Sequence, residues 1–216
     1  MPRTGDERAL LRFGIVAGPF YVLLGLVQAL VRDGFDLSRH PLSLLANGPG
    51  GWIQTANFAL TGAMVVAAAV GLRRALAPAL APAWFLGAFG VGMLFAAVFP
   101  ADPVDGFPPG TPPGFPASMS TAGLLHFVAG ALGFTCLAIS CLLSTRALSR
   151  RGDRGLARLS AAAGIVVLAG FFAGPAMPSV ELMTLGIWIA VLAGWAWLTT
   201  VSLRLTPSPP SQPSFP

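Results

Sequence analysis

The sequence predicts an all-α membrane protein, a bundle of six transmembrane helices, and three observations lead to this fold class. The 216 residues are 55% hydrophobic, with a mean hydropathy of +0.74. Only 10% of them are charged, whereas soluble domains carry about 25% charged residues. Six segments reach the length of about 20 mostly apolar residues that a helix needs to cross a bilayer.

The six predicted spans follow one another through short connections. They cover residues 12–31, 52–72, 83–100, 122–145, 157–177 and 180–203. Arg73 and Arg74 end the second span, and the segment 176–179 predicts a tight turn between the last two. The first span is too long for the apolar core of a cleaved signal peptide, and no A-x-A site follows it.

The chain divides into three regions. Residues 1–11 are interpreted as a cytoplasmic N-terminus and residues 12–205 as the transmembrane domain. Residues 206–216 form a Pro/Ser-rich tail, and such a composition predicts disorder because it offers little apolar surface to bury.

The arginines predict the orientation of the bundle. Eleven of the thirteen arginines fall on the side of the two termini, and only Arg32 and Arg39 fall on the other side. Cytoplasmic loops carry the excess of positive charge, so both termini are predicted to be cytoplasmic. The protein is therefore interpreted as a multi-pass protein of the cell membrane, with the lipid bilayer as its surroundings.

Charge and small residues bear on the partners of the protein. The net charge is +5, but no basic stripe with interleaved aromatic residues indicates nucleic-acid binding. Glycines recur at helical spacing in pairs that allow backbones to approach closely, which fits internal packing and leaves an oligomer through a Gly-rich face open. These pairs are Gly14 and Gly18, Gly87 and Gly90, and Gly130 and Gly133.

Polar residues concentrate on the outer side. The first outer loop holds Ser38, His40 and Ser43, and it leads directly into Gln54 and Asn57. Gln54, Asn57 and Thr61 share one face of the second helix. Turning a polar face toward lipid is costly, so we expect it to face the bundle or a wet cavity.

The remaining candidates lie on the same side of the membrane. Asp102 is in a second outer loop that is rich in proline, and His126 lies about one turn into the fourth helix. Glu181 opens the sixth helix, where the positive end of the helix dipole favours a carboxylate. We expect His40, Asp102 and His126 to cluster around a pocket that Gln54 and Asn57 also face.

Imidazoles beside a carboxylate are suited to general acid–base chemistry. His40, Asp102 and His126 are therefore the candidate catalytic residues. Ser38, Ser43, Gln54, Asn57 and Glu181 are the candidate substrate-binding residues. His40, His126 and Asp102 match the ligand count of a metal site, but no local metal motif is present and no metal or cofactor is assigned. Neither Ser38 nor Ser43 has the G-x-S-x-G context of a serine nucleophile.

The outer-side motifs resemble a known family. Asp36-x-Ser38-x-His40-Pro41-x-Ser43, Gly51-Trp52-Ile53-Gln54, Asn57-Phe58, Phe99-Pro100-x-Asp102, His126 and the Glu near the start of the last helix are similar to the DUF998 signature. The resemblance covers roughly residues 12–203 and implies a six-helix membrane protein of unknown function. The Pro-rich loop 103–116 departs from the pattern.

Three classes of function remain open at this point. The first is an enzyme that performs acid–base chemistry, such as hydrolysis, transfer or cyclisation, on a lipophilic substrate. The second is a small-molecule transporter or sensor, although no ionisable residues lie in the middle of helices one, three, five and six. The third is a non-catalytic accessory membrane subunit.

Overall fold

A computed structural model describes residues 5–173 and 179–206, with side chains from residue 9 onward. Its helices are, in chain order, α1 Gly5–Val31, a short 3₁₀ helix Leu42–Ala46, α2 Gly51–Leu76, α3 Ala81–Val98, α4 Thr121–Arg150, α5 Arg154–Ala173 and α6 Val180–Leu205. All six α-helices are long and apolar enough to cross a membrane. The predicted fold class, an all-α six-helix membrane protein, is confirmed.

The observed helices extend beyond the apolar spans that the sequence predicts. α1 begins at Gly5, so helix continues into the predicted N-terminal region, and α4 runs on to Arg150. Polar and charged side chains are compatible with helix where it emerges from the bilayer, so hydropathy underestimates helix length. The predicted turn 176–179 and tail 206–216 lie outside the described residues, except for Ser179 and Thr206.

The six helices form a closed ring. Each helix packs against its neighbours in sequence, and α6 returns to pack against α1. Glycines permit this closure, because a Cβ at Gly18 would lie 2.8 Å from the Cβ of Trp195 on α6, and one at Gly14 would overlap Ser202. The first Gly-rich face is therefore used inside the ring. Large apolar side chains such as Leu30 (81% exposed) and Leu132 (63%) cover the outside, where a bilayer would solvate them.

The ring has two chemically different ends. We call the end formed by residues 32–50 and 99–120 the loop end, and the end formed by residues 73–80 and 146–158 the arginine end. The 32–50 loop folds back onto the bundle, because Leu42, Leu44 and Leu45 of the 3₁₀ helix are buried. Leu37, Leu42, Leu44 and Leu45 are too apolar for a free loop, so the sequence predicts that this loop folds back against the helix ends. The prediction is confirmed for the three leucines of the 3₁₀ helix, whereas Leu37 remains 37% exposed.

Candidate functional site

A cavity of about 590 Å³ occupies the loop-end half of the ring. Residues from all six helices and both loops line it, and most of them are apolar. Its polar lining consists of Tyr21, Ser43, Asp102, His126 and Trp188. This volume lies within the usual range for small-molecule sites, which are mostly apolar with a few placed polar groups.

Aromatic side chains form the floor of this cavity toward the arginine end. Phe134 stacks on Phe171 with ring centroids 4.4 Å apart, and Phe89 contacts both Phe134 and Trp195 at 5.8 and 5.7 Å. Tyr21 continues the layer from Trp195, at 5.6 Å. The aromatic floor, defined by these five residues, separates the cavity from the arginine-end half of the bundle.

His126 presents one free ring nitrogen to the cavity. Its Nδ1 lies 2.8 Å from the backbone carbonyl of Phe99. A carbonyl can only accept a hydrogen bond, so Nδ1 must carry the proton in the neutral ring and Nε2 must hold the lone pair. No described residue bonds Nε2. The imidazole also packs edge-on against Phe58, with centroids 6.0 Å apart.

Asp102 lines the same cavity and also anchors α4. Its carboxylate accepts from the hydroxyl of Ser120 at 2.5 Å and from the Ser120 backbone N–H at 2.9 Å. Ser120 in turn caps α4 by accepting from the N–H of Gly123 at 3.0 Å. The structure thus brings Asp102 and His126 to one cavity, as expected.

His40 lies in a different environment. Its Nδ1 accepts from the backbone N–H of Asp36 at 2.9 Å, and its Nε2 lies 3.1 Å from the backbone carbonyl of Asp105. These contacts require the tautomer with the proton on Nε2, and they occupy both ring nitrogens. The ring is 2% exposed, between Phe35 and Phe107. His40 does not line the cavity, so the expected three-residue cluster around one pocket does not form.

Asp105 joins the two outer loops. Its backbone carbonyl receives the His40 contact, one carboxylate oxygen accepts from the Gly114 N–H at 2.8 Å, and the other lies 2.6 Å from the Arg39 guanidinium. The Gly114 hydrogen bond, with Arg39 assisting, lowers the pKa of Asp105 below its usual value despite its burial. Glu181 is exposed and reaches Arg39 only at 3.9 Å, so it belongs to the rim of this junction and not to the cavity.

Gln54 and Asn57 are fully buried between α1 and α2 and do not line the cavity. Asn57 donates to the Tyr21 backbone carbonyl at 3.1 Å, and Gln28 donates to the Leu24 carbonyl at 3.2 Å. These two carbonyls orient the side-chain amides, so Gln54 Oε1 must accept from both Asn57 and Gln28. Gln54 Nε2 and Gln28 Oε1 then have no hydrogen-bond partner. The predicted polar face points into the bundle, as expected, but it contacts α1 instead of the cavity.

The two candidate serines lie in different environments. Ser38 is exposed and donates its hydroxyl and backbone N–H to the Asp36 carboxylate at 2.7 and 2.8 Å, which is a local turn. These bonds lower the pKa of Asp36 below its usual value. Ser43 lines the cavity, and none of the described residues bonds its hydroxyl. Ser43 therefore joins Asp102 and His126 at the cavity wall.

Several site residues could not be found by sequence reasoning. Trp188 and Thr184 of α6 donate to the carbonyls of Leu37 and Arg39 at 3.1 and 3.0 Å, which holds the first loop over the ring. Neither residue differs in type from ordinary membrane-helix residues. Gln28 could have been found from the sequence, because an amide inside an apolar span needs a hydrogen-bond partner within the protein.

Among the described residues, no group of three or more His, Cys, Asp or Glu side chains is placed to hold a metal ion. The arrangement therefore offers a neutral imidazole with a free nitrogen, a hydroxyl and a carboxylate on the wall of an apolar chamber. This set of groups can bind a polar end of a lipophilic molecule and exchange a proton with it.

Comparison with known proteins gives one match. The family model described as "Protein of unknown function (DUF998)" matches residues 15–204. No curated protein and no solved structure matches the chain. The match covers most of the sequence, including every residue of the cavity wall, and it agrees with the motifs of the outer loops. The chain belongs to the DUF998 family of membrane proteins of unknown function.

Proposed function

We propose that this protein is a membrane enzyme that binds a lipophilic molecule in the loop-end cavity and uses His126 as a general base. The single observation that carries the proposal is the unoccupied Nε2 lone pair of His126 on the wall of an apolar cavity of about 590 Å³. Asp102 and Ser43 also line this cavity. The candidate reactions are those that begin by removing a proton, in hydrolysis, transfer or cyclisation.

The contacts of His126 suit it to accept a proton. The Phe99 carbonyl holds the ring in the tautomer whose Nε2 faces the substrate. When Nε2 gains a proton, the ring becomes positive, and the Nδ1–H bond to the Phe99 carbonyl becomes charge-assisted. Asp102 makes no hydrogen bond to the ring. It acts through Ser120, which caps the start of the helix that carries His126, so its role is that of a positioning residue.

The apolar walls define the class of substrate. Phe58, Phe89, Phe134 and Phe171 line the cavity together with Met93 and Ile187. Burying apolar surface against such walls is favourable by about 25 cal/mol per Å². Because the cavity also lies within a ring whose outside is apolar, a hydrocarbon chain with one polar end fits it better than a polar metabolite does.

Transport through the ring has less support in the structure than an enzyme site in the cavity has. Beyond the aromatic floor, the buried hydroxyls of the arginine-end half are already used, since Ser140 donates to the Pro82 carbonyl at 2.7 Å and Ser160 accepts from Trp197 at 2.9 Å. Ion and solute paths are marked by free polar or ionisable groups. The described residues offer no such row of groups from the cavity to the arginine end.

The proposal is tested by identifying what the protein retains. Wild type and His126→Gln are purified in mild detergent, and the bound lipophiles are extracted and compared by mass spectrometry. We expect both to retain a lipophile, but not the same one, because an enzyme without its base holds unprocessed substrate. The two species differ in mass after hydrolysis or transfer, and in chromatographic retention after an isomerising cyclisation. His40→Gln is the matched control, since it also removes an imidazole but lies outside the cavity, and it should retain the wild-type species.

Each outcome has a distinct meaning. If His126→Gln and wild type retain the same species, the protein binds a lipophile without transforming it, and the enzyme proposal fails in favour of a carrier or accessory role. Gly130→Phe places a ring in the cavity from α4, where a Cβ meets only Phe171 at 3.6 Å. If this variant retains as much lipophile as wild type, the loop-end cavity is not the binding site.

A further inference from the structure

A second cavity lies at the arginine end, remote from the site described above. It has a volume of about 400 Å³ and sits between the α2–α3 connection and the last turns of α4. Leu76, Pro78, Leu80 and Leu143 form its apolar walls, and Arg146, Arg150 and Arg151 line it from the end of α4. The cavity therefore combines a hydrocarbon surface with three guanidinium groups, one of which is bonded to the backbone.

The other two arginines, Arg146 and Arg150, have no counter-charge. They are four residues apart on one helix, so their side chains lie on the same face and repel each other. Among the described residues neither takes part in an ion pair or a hydrogen bond, and the nearby Asp153 carboxylate is used at the start of α5, where it accepts from the Leu156 N–H at 3.0 Å. Two positive side chains held close together without a carboxylate repel each other, so binding an anion between them is electrostatically favourable.

The neighbouring Arg151 shows how the cavity is shaped. It donates to the backbone carbonyls of Ala75 and Ala77 at the end of α2, the second at 3.0 Å. Arg151 thus ties the α2–α3 connection to α4 with two of its five N–H donors. Arg146 and Arg150 remain available. The positive-inside rule explains arginines at this end of the bundle, but it does not require two unpaired ones to line the same cavity.

We propose that this cavity binds the phosphate headgroup of an anionic phospholipid from the leaflet at the arginine end. Guanidinium groups bind phosphate through paired, charge-assisted hydrogen bonds. Leu80 and Leu143 lie beside the arginines in the same cavity, so the first part of an acyl chain can follow the headgroup. Basic pockets between transmembrane helices are suited to lipid headgroups for this reason. Free phosphate would use the arginines but not the walls.

The experiment uses the full chain in detergent and measures retained phosphatidylglycerol by native mass spectrometry, with phosphatidylcholine as the neutral comparison. We expect wild type to retain phosphatidylglycerol and Arg146→Gln/Arg150→Gln to bind it about 30-fold more weakly, since each arginine at an anionic surface contributes about fivefold. Arg154→Gln/Arg158→Gln is the matched control. It removes two arginines at the same spacing and the same end, but on α5 and outside the cavity.

The results separate the alternatives. If both double variants weaken binding equally, the attraction is a general property of the basic end and the site does not exist. If glycerol phosphate without acyl chains competes as well as the lipid, the ligand is a soluble phosphate and the lipid assignment fails. Arg146→Lys/Arg150→Lys keeps the charge but not the paired N–H donors, so it should bind more weakly than wild type and more tightly than the double glutamine variant. Loss of binding in that variant together with a lower thermal stability would mean that the arginines support the fold.

Discussion

At the scale of single residues, the two histidines differ in how their ring nitrogens are used. Both nitrogens of His40 are bonded to backbone groups of the two outer loops, at Asp36 and Asp105. His126 uses only Nδ1 and leaves Nε2 toward the cavity. The same residue type therefore serves as a structural joint in one place and as a candidate base in the other.

His40→Ala is expected to destabilise the protein without acting on the cavity directly. The substitution empties a site between Phe35 and Phe107 and leaves the Asp36 N–H without its acceptor. The loss should be about 2–4 kcal/mol, measured by thermal unfolding in detergent. Ser38→Ala, on the exposed side of the same loop, should change stability by less than about 0.5 kcal/mol. Equal effects of the two substitutions would contradict the structural role of His40.

At low pH, protonation of the Asp105 carboxylate should weaken the contacts between the two loops. Its pKa is lowered in the folded protein, first by the Gly114 hydrogen bond, so the charged carboxylate stabilises the fold above the ordinary carboxyl pKa of about 3.9. That contribution is lost as the pH falls through the lower folded-state value. Proteolysis of the 99–120 segment should rise in this acidic window in wild type, whereas Asp105→Asn should be sensitive already at neutral pH. A cleavage rate independent of pH in wild type would refute this link.

At the scale of elements, the start of α4 depends on a close approach between helix and loop. The Asp102 carboxylate lies so near Gly123 that a Cβ there would overlap it. Ser120 completes the arrangement by capping the helix and bonding the same carboxylate. Glycine at position 123 is thus a condition for placing Asp102 on the cavity wall.

Two glycines of α4 provide a matched pair of substitutions. Gly123→Ala should displace Asp102, break its bonds to Ser120 and cost about 1–3 kcal/mol. Gly130→Ala should be neutral or slightly stabilising, because its Cβ would meet only Phe171 at the ordinary contact distance of 3.6 Å. Unfolding in detergent measures both. A Gly123→Ala protein as stable as Gly130→Ala would show that Asp102 is not fixed by this contact.

At the scale of the whole molecule, closure of the ring creates the cavity. α6 packs against both α1 and α5, so the sixth helix returns to the first and leaves space inside the loop-end half. The two outer loops then cover this space, because Trp188 and Thr184 hold the first loop and Asp105 joins it to the second. The chamber is a property of the assembled ring and of no single helix.

The orientation of the ring remains a prediction, and labelling tests it. In a protein with Cys136 and Cys141 replaced by alanine, Ser118→Cys at the loop end and Ser149→Cys at the arginine end are both exposed positions. An impermeant maleimide added to intact cells should label position 118 and not position 149, because the positive-inside rule predicts that the arginine-rich side faces the cytoplasm. The reverse pattern would place both termini outside.

The sequence by itself determined the number of membrane helices, the grouping of polar residues on one side and the burial of the leucines in the first loop. These are local consequences of hydropathy and helical period, which depend only on residues close together in the chain. It also indicated the polar face of Gln54 and Asn57, because an amide inside a span must turn away from lipid.

Only the tertiary structure decided which polar groups meet. His40 joins Asp105, which is 65 residues away, and Asp102 reaches Ser120 and the cavity of His126. Gln54 turns instead to Gln28 on α1. All of these residues lie at similar depth near one membrane face, so hydropathy and spacing cannot distinguish between them. Their pairing depends on the rotation of each helix and the path of each loop, which are set by packing such as Gly18 against Trp195.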